Sequence, residues 1–135
     1  MTDAYLIDTC AMIWATHLAP LSVEASTILA SRDDRLQVSV MSAWEIGMLV
    51  SKGRLPATKG ALVWFDDFVV RSGVSIVGVT PAILVESSNL PQPIHNDPTD
   101  RILIATAREH DLTIITRDQA ILAYGAAGHV RTLAC

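Results

Sequence analysis

At 135 residues, half of them apolar, the chain is long enough to bury one core and too hydrophobic to remain disordered. A formal net charge of −4 argues against a protein that coats nucleic acid by bulk attraction, while leaving room for an enzyme that grips a few phosphates locally. No apolar run approaches the ~20 residues of a membrane helix. The start MTDAYLIDT lacks the basic and apolar regions of a signal peptide. The two cysteines, Cys10 and Cys135, fall in no metal-ligand spacing, so a cytosolic protein without a disulfide framework or zinc site is expected.

Apolar strings and helical periodicities alternate along the chain. Tyr5 to Ile7 reads as a short strand that stops at Asp8. Ala11 to His17 reads as helix, broken by Pro20, and Cys10 between them reads as a small buried hydrophobe. Ser22 can cap a helix to about Ser31 with Val23, Ala25, Ile28 and Leu29 inward, and Asp33-Asp34 marks a turn. Leu36 to Val40 is a strand. Ser42 opens a helix that carries Trp44, Met48 and Leu49 and ends near Gly53. Thr58 can cap another, with Leu62, Phe65, Phe68 and Val69 on one stripe and Gly73 as its stop. Val74 to Val79 is a strand, Pro81 starts a helix to about Ser88, and Asn89 to Asn96 is a loop with two prolines. Asp97-Pro98 starts a helix to His110, Thr113 to Thr116 is a strand, Asp118 starts a helix that ends at Gly125, and His129 to Thr132 closes as a short strand. The alternation predicts an α/β fold: one domain, residues 1–135, with a mostly parallel sheet between two helical layers. Right-handed crossovers then bring the C-terminal ends of the strands to one edge, where sites collect.

Four acids fall at strand ends or helix starts: Asp8, Glu45, Asp100 and Asp118. Each has an ordinary structural explanation. Asp8 and Asp118 can cap helices. Ser42 and Glu45 form an S-x-x-E capping box. Asp97 can cap its helix, with Pro98 at the first position and Asp100 favoured by the helix dipole. Taken together they ask for more. Carboxylates at ~5 Å in an effective dielectric of about 20 repel by about 3 kcal/mol per pair, and a divalent cation removes that cost. All-oxygen ligands select magnesium or manganese over zinc or copper. Arg101 and Arg117 adjoin two of the acids, and guanidinium groups beside a cation suit a phosphate. His95, just before the D-P-T-D segment, reads as a surface loop histidine.

The segments LIDTCAMIW, SAWEIGMLVSKGRL and HNDPTDRILIATAREHDLTIITRD resemble a PIN domain of the VapC toxin type, over nearly the whole chain and with the motifs in the expected order. The H-x-D-P-x-D-R run and the closing T-R-D are its most specific parts. The stretch from about Pro56 to Pro93 matches only in general character.

The resemblance implies a three-layer α/β/α sandwich with an acidic pocket. Asp8, Glu45, Asp100 and Asp118 match the family's four acids, and Thr9 and Thr116 match hydroxyl positions that orient them. It further implies an endoribonuclease dependent on Mg2+ or Mn2+, usually a homodimer, silenced by a small antitoxin. In that reading Asp8, Asp100 and Asp118 hold the cation, Glu45 completes the shell or orients the attacking water, and Arg101 and Arg117 meet the substrate phosphate. A basic side chain of the antitoxin would be drawn to the acidic rim. Trp64 and Phe65 read as core, with a partner groove or dimer face as the other option.

Three other readings compete. A catalytically silent PIN-like module could bind RNA or protein, although it has no need to collect repelling charge. A phosphatase with an aspartyl nucleophile loosely fits Asp8-Thr9, although the last lysine is Lys59 and that chemistry commonly places a phosphate-holding lysine late in the chain. A nuclease of the same fold could act on DNA.

Overall fold

The computed structural model describes residues 4–17, 20–31 and 35–135. The expected turn at Asp33-Asp34 lies outside them. Among the described residues five short strands form one parallel sheet: β1 (Tyr5–Ile7), β2 (Leu36–Ser39), β3 (Ser75–Val77), β4 (Thr113–Thr116) and β5 (Arg131–Ala134). Their order is β3-β2-β1-β4-β5. The chain therefore steps outward from β1 through β2 to β3, then returns to the other side of β1 for β4 and β5. Between β1 and β4 the direction of winding reverses, which opens a crevice at the C-terminal ends of those two strands.

Among the described residues seven helices cover the two faces: α1 (Thr9–Thr16), α2 (Val23–Ala30), α3 (Val40–Ser51), α4 (Ala61–Ser72), α5 (Pro81–Ser88), α6 (Pro98–His110) and α7 (Gln119–Ala126). The core strands carry apolar residues on both faces, as a sheet covered on both sides requires. Ile7 and Ile115 point into one cluster with Met12, Ile46, Phe65 and Phe68, from α1, α3 and α4. Leu6 and Ile114 point into the other with Ile83, Leu103, Ile104 and Ile121, from α5, α6 and α7. Two core layers on one sheet make the three-layer sandwich. Among the described residues no helix is long and apolar enough to cross a membrane.

Several starts differ from expectation. α3 begins at Val40, not Ser42, because Ser39 accepts from the Met41 N–H and caps it at the end of β2. Ser42 is thus buried inside the helix, and the capping box proposed for Glu45 does not form. α4 is preceded by Gly60, not capped by Thr58, and its Leu62 is 70% exposed because it sits in the first turn, beyond the core. Phe65 is buried, and Trp64 stacks on Phe68. Ser22 does cap α2, but Val23 at its first position is 85% exposed. β3 is shorter than the apolar run around it, and β5 starts two residues later than the expected strand. Gly73 stops α4 with a φ of 69°, a left-handed turn that other residues enter at a cost.

Candidate metal and nuclease site

Parallel register builds the site from the chain upward. Ile7 lies level with Ile115 on one side and Val38 on the other. The next residues along the three strands are therefore neighbours, and Asp8 stands beside Thr116. The Asp8 N–H donates to the Ile115 carbonyl at 3.1 Å. Asp8 caps α1 by accepting from the Ala11 N–H at 2.7 Å through Oδ1. Its Oδ2 accepts the Thr116 hydroxyl proton. Thr116 Oγ1 in turn accepts the Asp118 N–H at 3.0 Å. Asp118 caps α7 with Oδ1, accepting from Ile121 at 2.9 Å. Capping and site formation are compatible, because the cap takes one carboxylate oxygen: Asp118 keeps its other oxygen, and Asp8 Oδ2, which accepts from Thr116, keeps a further lone pair.

Glu45 reaches the same place from the other side. It lies on the second turn of α3, and the Thr9 hydroxyl donates to its Oε1. Ser42 Oγ is 2.9 Å from Thr9 Oγ1, so the buried serine backs the threonine. Asp97 caps α6, accepting from Thr99 and Asp100 N–H groups. Asp100 then projects from the third position of α6. All four acids line one cavity of about 150 Å3, together with Thr9, Cys10, Trp14, Leu103 and Arg117. A larger, open hollow of about 780 Å3 lies at the opposite ends of β4 and β5. Four of its charged groups pair with each other, Arg108 with Glu86 and Arg131 with Asp111, and it gathers no cluster of acids like that of the smaller cavity.

In the acidic cavity, burial raises the Asp8 carboxyl above its ordinary value, against the Thr116 and Ala11 hydrogen bonds, and the charge of Asp118 adds to the rise. Burial likewise raises Glu45, with Thr9 opposing and Asp97 and Asp8 contributing. Asp100 is pushed up to about 7 by burial first, then by the charges of Asp97 and Asp118, with His95 pulling the other way. Among the described residues the four acids have no lysine or arginine partner, and their one ion-pairing contact is His95 with Asp100 at 3.1 Å. Oxygen donors from separate segments, partly buried and short of positive charge, fit a hard divalent cation.

Expectations about four neighbouring residues change. Arg101 does not line the cavity. Its guanidinium donates to the carbonyls of Ser87 at 2.8 Å and His95 at 3.2 Å, which ties the 89–96 loop to α6. Arg117 does line it, but lies 4.1 Å over the Trp14 ring and donates to the carbonyls of Pro20 and Cys135. Cys10 is exposed rather than buried, because it opens α1 at the cavity mouth. Partial desolvation of the sulfur where it meets the cavity, and then the surrounding carboxylates, hold its thiol protonated, with a pKa of about 11. His95, read from sequence as a loop residue, stands beside Asp100. The H-x-D-P-x-D-R spacing is the signal that could have placed it there.

Residues 5–126 match the model of the PIN domain. Ribonuclease VapC22 of Mycobacterium tuberculosis is 30% identical over 121 residues, covering 90% of this chain and 91% of the relative. Among solved structures, a toxin–antitoxin complex from Klebsiella pneumoniae aligns with a TM-score of 0.65 at 19% identity, over 96% of both chains. VapBC2 from Rickettsia felis, bound to a DNA fragment from its promoter, aligns with a TM-score of 0.69 at 16% identity, over 97% of this chain and 98% of that one. These two likenesses support the fold drawn from the strand order and the two core layers. The match across nearly the whole chain, joined to four carboxylates in one switch-point cavity, places the chain in the PIN-domain family as a homologue of the VapC proteins.

Proposed function

We propose that the chain is a divalent-metal-dependent endoribonuclease and the toxin of a toxin–antitoxin pair. The observation that carries this reading is the convergence of Asp8, Glu45, Asp100 and Asp118 on one small cavity. A silent binding module has no use for such a concentration of like charge. The ribonuclease relative and the toxin–antitoxin neighbours support the same reading.

Asp8, Asp100 and Asp118 are the residues to hold the cation, Mg2+ with Mn2+ as a substitute. Bound there, the ion supplies a Lewis acid at the phosphodiester and an acidified water. Thr116 fixes the Asp8 carboxylate and Thr9 fixes that of Glu45, so both enter the reaction already oriented. Glu45 Oε1 is held by Thr9, which leaves Oε2 to orient a water and take its proton. Attack of that water forms a bond to phosphorus and breaks the bond to the 3′ oxygen. The products are a 5′-phosphate and a 3′-hydroxyl, the latter taking up a proton. Arg117, at the rim, is the group to meet the phosphate. Arg101 stays occupied with its two carbonyls. With RNA as substrate, the protein works in the cytoplasm.

The partners are a small antitoxin and a second copy of the chain. An antitoxin that offers a cationic side chain to the cavity would meet strong attraction. For the second copy, Val40, Trp44 and Met48 form a stripe of exposed apolar side chains at helical spacing on α3. The test of the central claim is cleavage of single-stranded RNA, transfer RNA and DNA by purified protein, with Mn2+, with Mg2+ and with chelator. Cleavage of RNA that stops in chelator and in Asp8→Asn is expected. Cleavage that persists in either would remove this mechanism, and preference for DNA would change the substrate.

A further inference from the structure

We propose that His95 supplies a nitrogen ligand to the cation site, giving it a preference for Mn2+ over Mg2+. This rests on the reading of the acidic cavity as a metal site and adds to it a ligand of another chemical kind.

One donor atom each from His95, Asp100 and Asp118 lies within 4.8 Å of the other two. His95 Nε2 is 3.1 Å from Asp100 Oδ2. Ligands at right angles around an ion with bonds of ~2.1 Å lie about 3.0 Å apart, so this pair already has the spacing of adjacent ligands. The same distance would suit a simple hydrogen bond, so other observations must decide. The other ring nitrogen, Nδ1, is buried and has no hydrogen-bond partner. The ring is therefore held from its Nε2 side, which faces Asp100, and not by a bond at Nδ1. The chain also braces this residue. Arg101 donates to the His95 carbonyl and to that of Ser87, pinning the loop to α6 and to the end of α5. The guanidinium expected at the phosphate is instead spent on holding the backbone of His95 in place.

The consequence is selectivity. Mg2+ takes oxygen ligands almost exclusively, whereas imidazole suits the later divalent ions better. Three carboxylates alone favour neither strongly. A nitrogen from His95 tips the site toward Mn2+.

The deciding experiment is pulsed electron-spin-echo spectroscopy on metal-free protein loaded with Mn2+, beside calorimetric titrations with Mn2+ and Mg2+. In the wild-type chain, modulation from directly bound 14N is expected, and it should vanish in His95→Gln. That variant should bind Mn2+ at least about tenfold more weakly while changing Mg2+ affinity by less than about threefold. Bound Mn2+ without nitrogen modulation in the wild type would overturn the proposal and leave the carboxylate site intact. An equal loss for both metals would make His95 a positioning partner of Asp100 only. Failure of Mn2+ to bind the wild type at all would overturn the metal-site reading beneath it. Should the variant not fold, the wild-type spectrum decides.

Discussion

Asp8 and Thr116, 108 residues apart in the chain, are joined by a buried hydroxyl-to-carboxylate hydrogen bond. The same hydroxyl accepts the Asp118 N–H, so one threonine aligns acids from both strands that flank the switch point. Replacing it with valine keeps the volume and removes both bonds. Thr116→Val should lower divalent-metal affinity by about 10–100-fold, the range seen when partners of metal ligands are lost, with cleavage falling in step. Calorimetry and a cleavage assay check this, and unchanged metal affinity would show that Thr116 is only a strand residue.

Metal-free protein should become less stable as the pH rises. Asp8, Glu45 and Asp100 all have raised carboxyl pKa values, caused first by burial, and that of Asp100 is about 7. Across the range from the ordinary carboxylate value to about 7, the folded chain keeps protons that the unfolded chain has released. Stability then falls with pH through that window and levels off above it. A divalent ion should reverse the trend, adding about 2.7 kcal/mol at ~100 times its dissociation constant. Thermal unfolding in chelator at pH 5 and pH 8, repeated with Mn2+, reads both effects. Higher stability at pH 8 in chelator would contradict the electrostatics described.

Gly125 packs α7 onto β5. A Cβ added there would sit 2.5 Å from Thr132 Oγ1 and 2.7 Å from its Cγ2. Inside a helix, glycine to alanine normally stabilises by ~1 kcal/mol. Here Gly125→Ala should instead destabilise by about 1–3 kcal/mol through overpacking. In a Thr132→Ala background most of that loss should return. Denaturant unfolding of the four proteins of this cycle gives the coupling, and purely additive effects would refute the close approach.

If the α3 stripe joins two copies of the chain, a charge placed in it should separate them. Met48→Glu changes a side chain that is 38% exposed and does not itself line the acidic cavity. Light scattering should report a monomer with helical content unchanged. A dimer of undiminished strength would mean that another face does the joining.

Arg117→Ala should separate substrate contact from metal holding. The guanidinium lies on Trp14 and at the cavity rim but carries no metal donor. The expected result is a raised KM for RNA with Mn2+ affinity close to wild type, measured by steady-state cleavage and calorimetry. A matching loss of Mn2+ affinity would show that Arg117 acts by shaping the acids.

The architecture was legible in the sequence because each device was local. Caps such as Asp97 with Pro98, the strand TIIT and the stop at Gly73 all carry their meaning within a few residues. The four acids were legible for the same reason, since strand ends in a parallel sheet share an edge. The failures share another cause. In the stretch V-S-V-M-S two serines could open α3, and only the end of β2 decides for Ser39. Thr58 and Gly60 pose the same choice before α4. Long side chains were the least legible. Nothing within a few residues of Arg101 says that its guanidinium turns to the carbonyls of Ser87 and His95, or that Arg117 turns onto Trp14. His95 was underestimated because its partner Asp100 is reached through a loop with no periodic signal.

The position of β1 and β4 side by side has a consequence in time. Asp8 precedes Asp118 by 110 residues, and the crevice between them closes only when β4 has docked and α7 has started. On a chain emerging from the ribosome, Asp8 and Glu45 can take their places while Asp118 is still missing, and the four-acid cavity stays incomplete until α7 is out. On the proposed function, strand order alone withholds cleavage until that point.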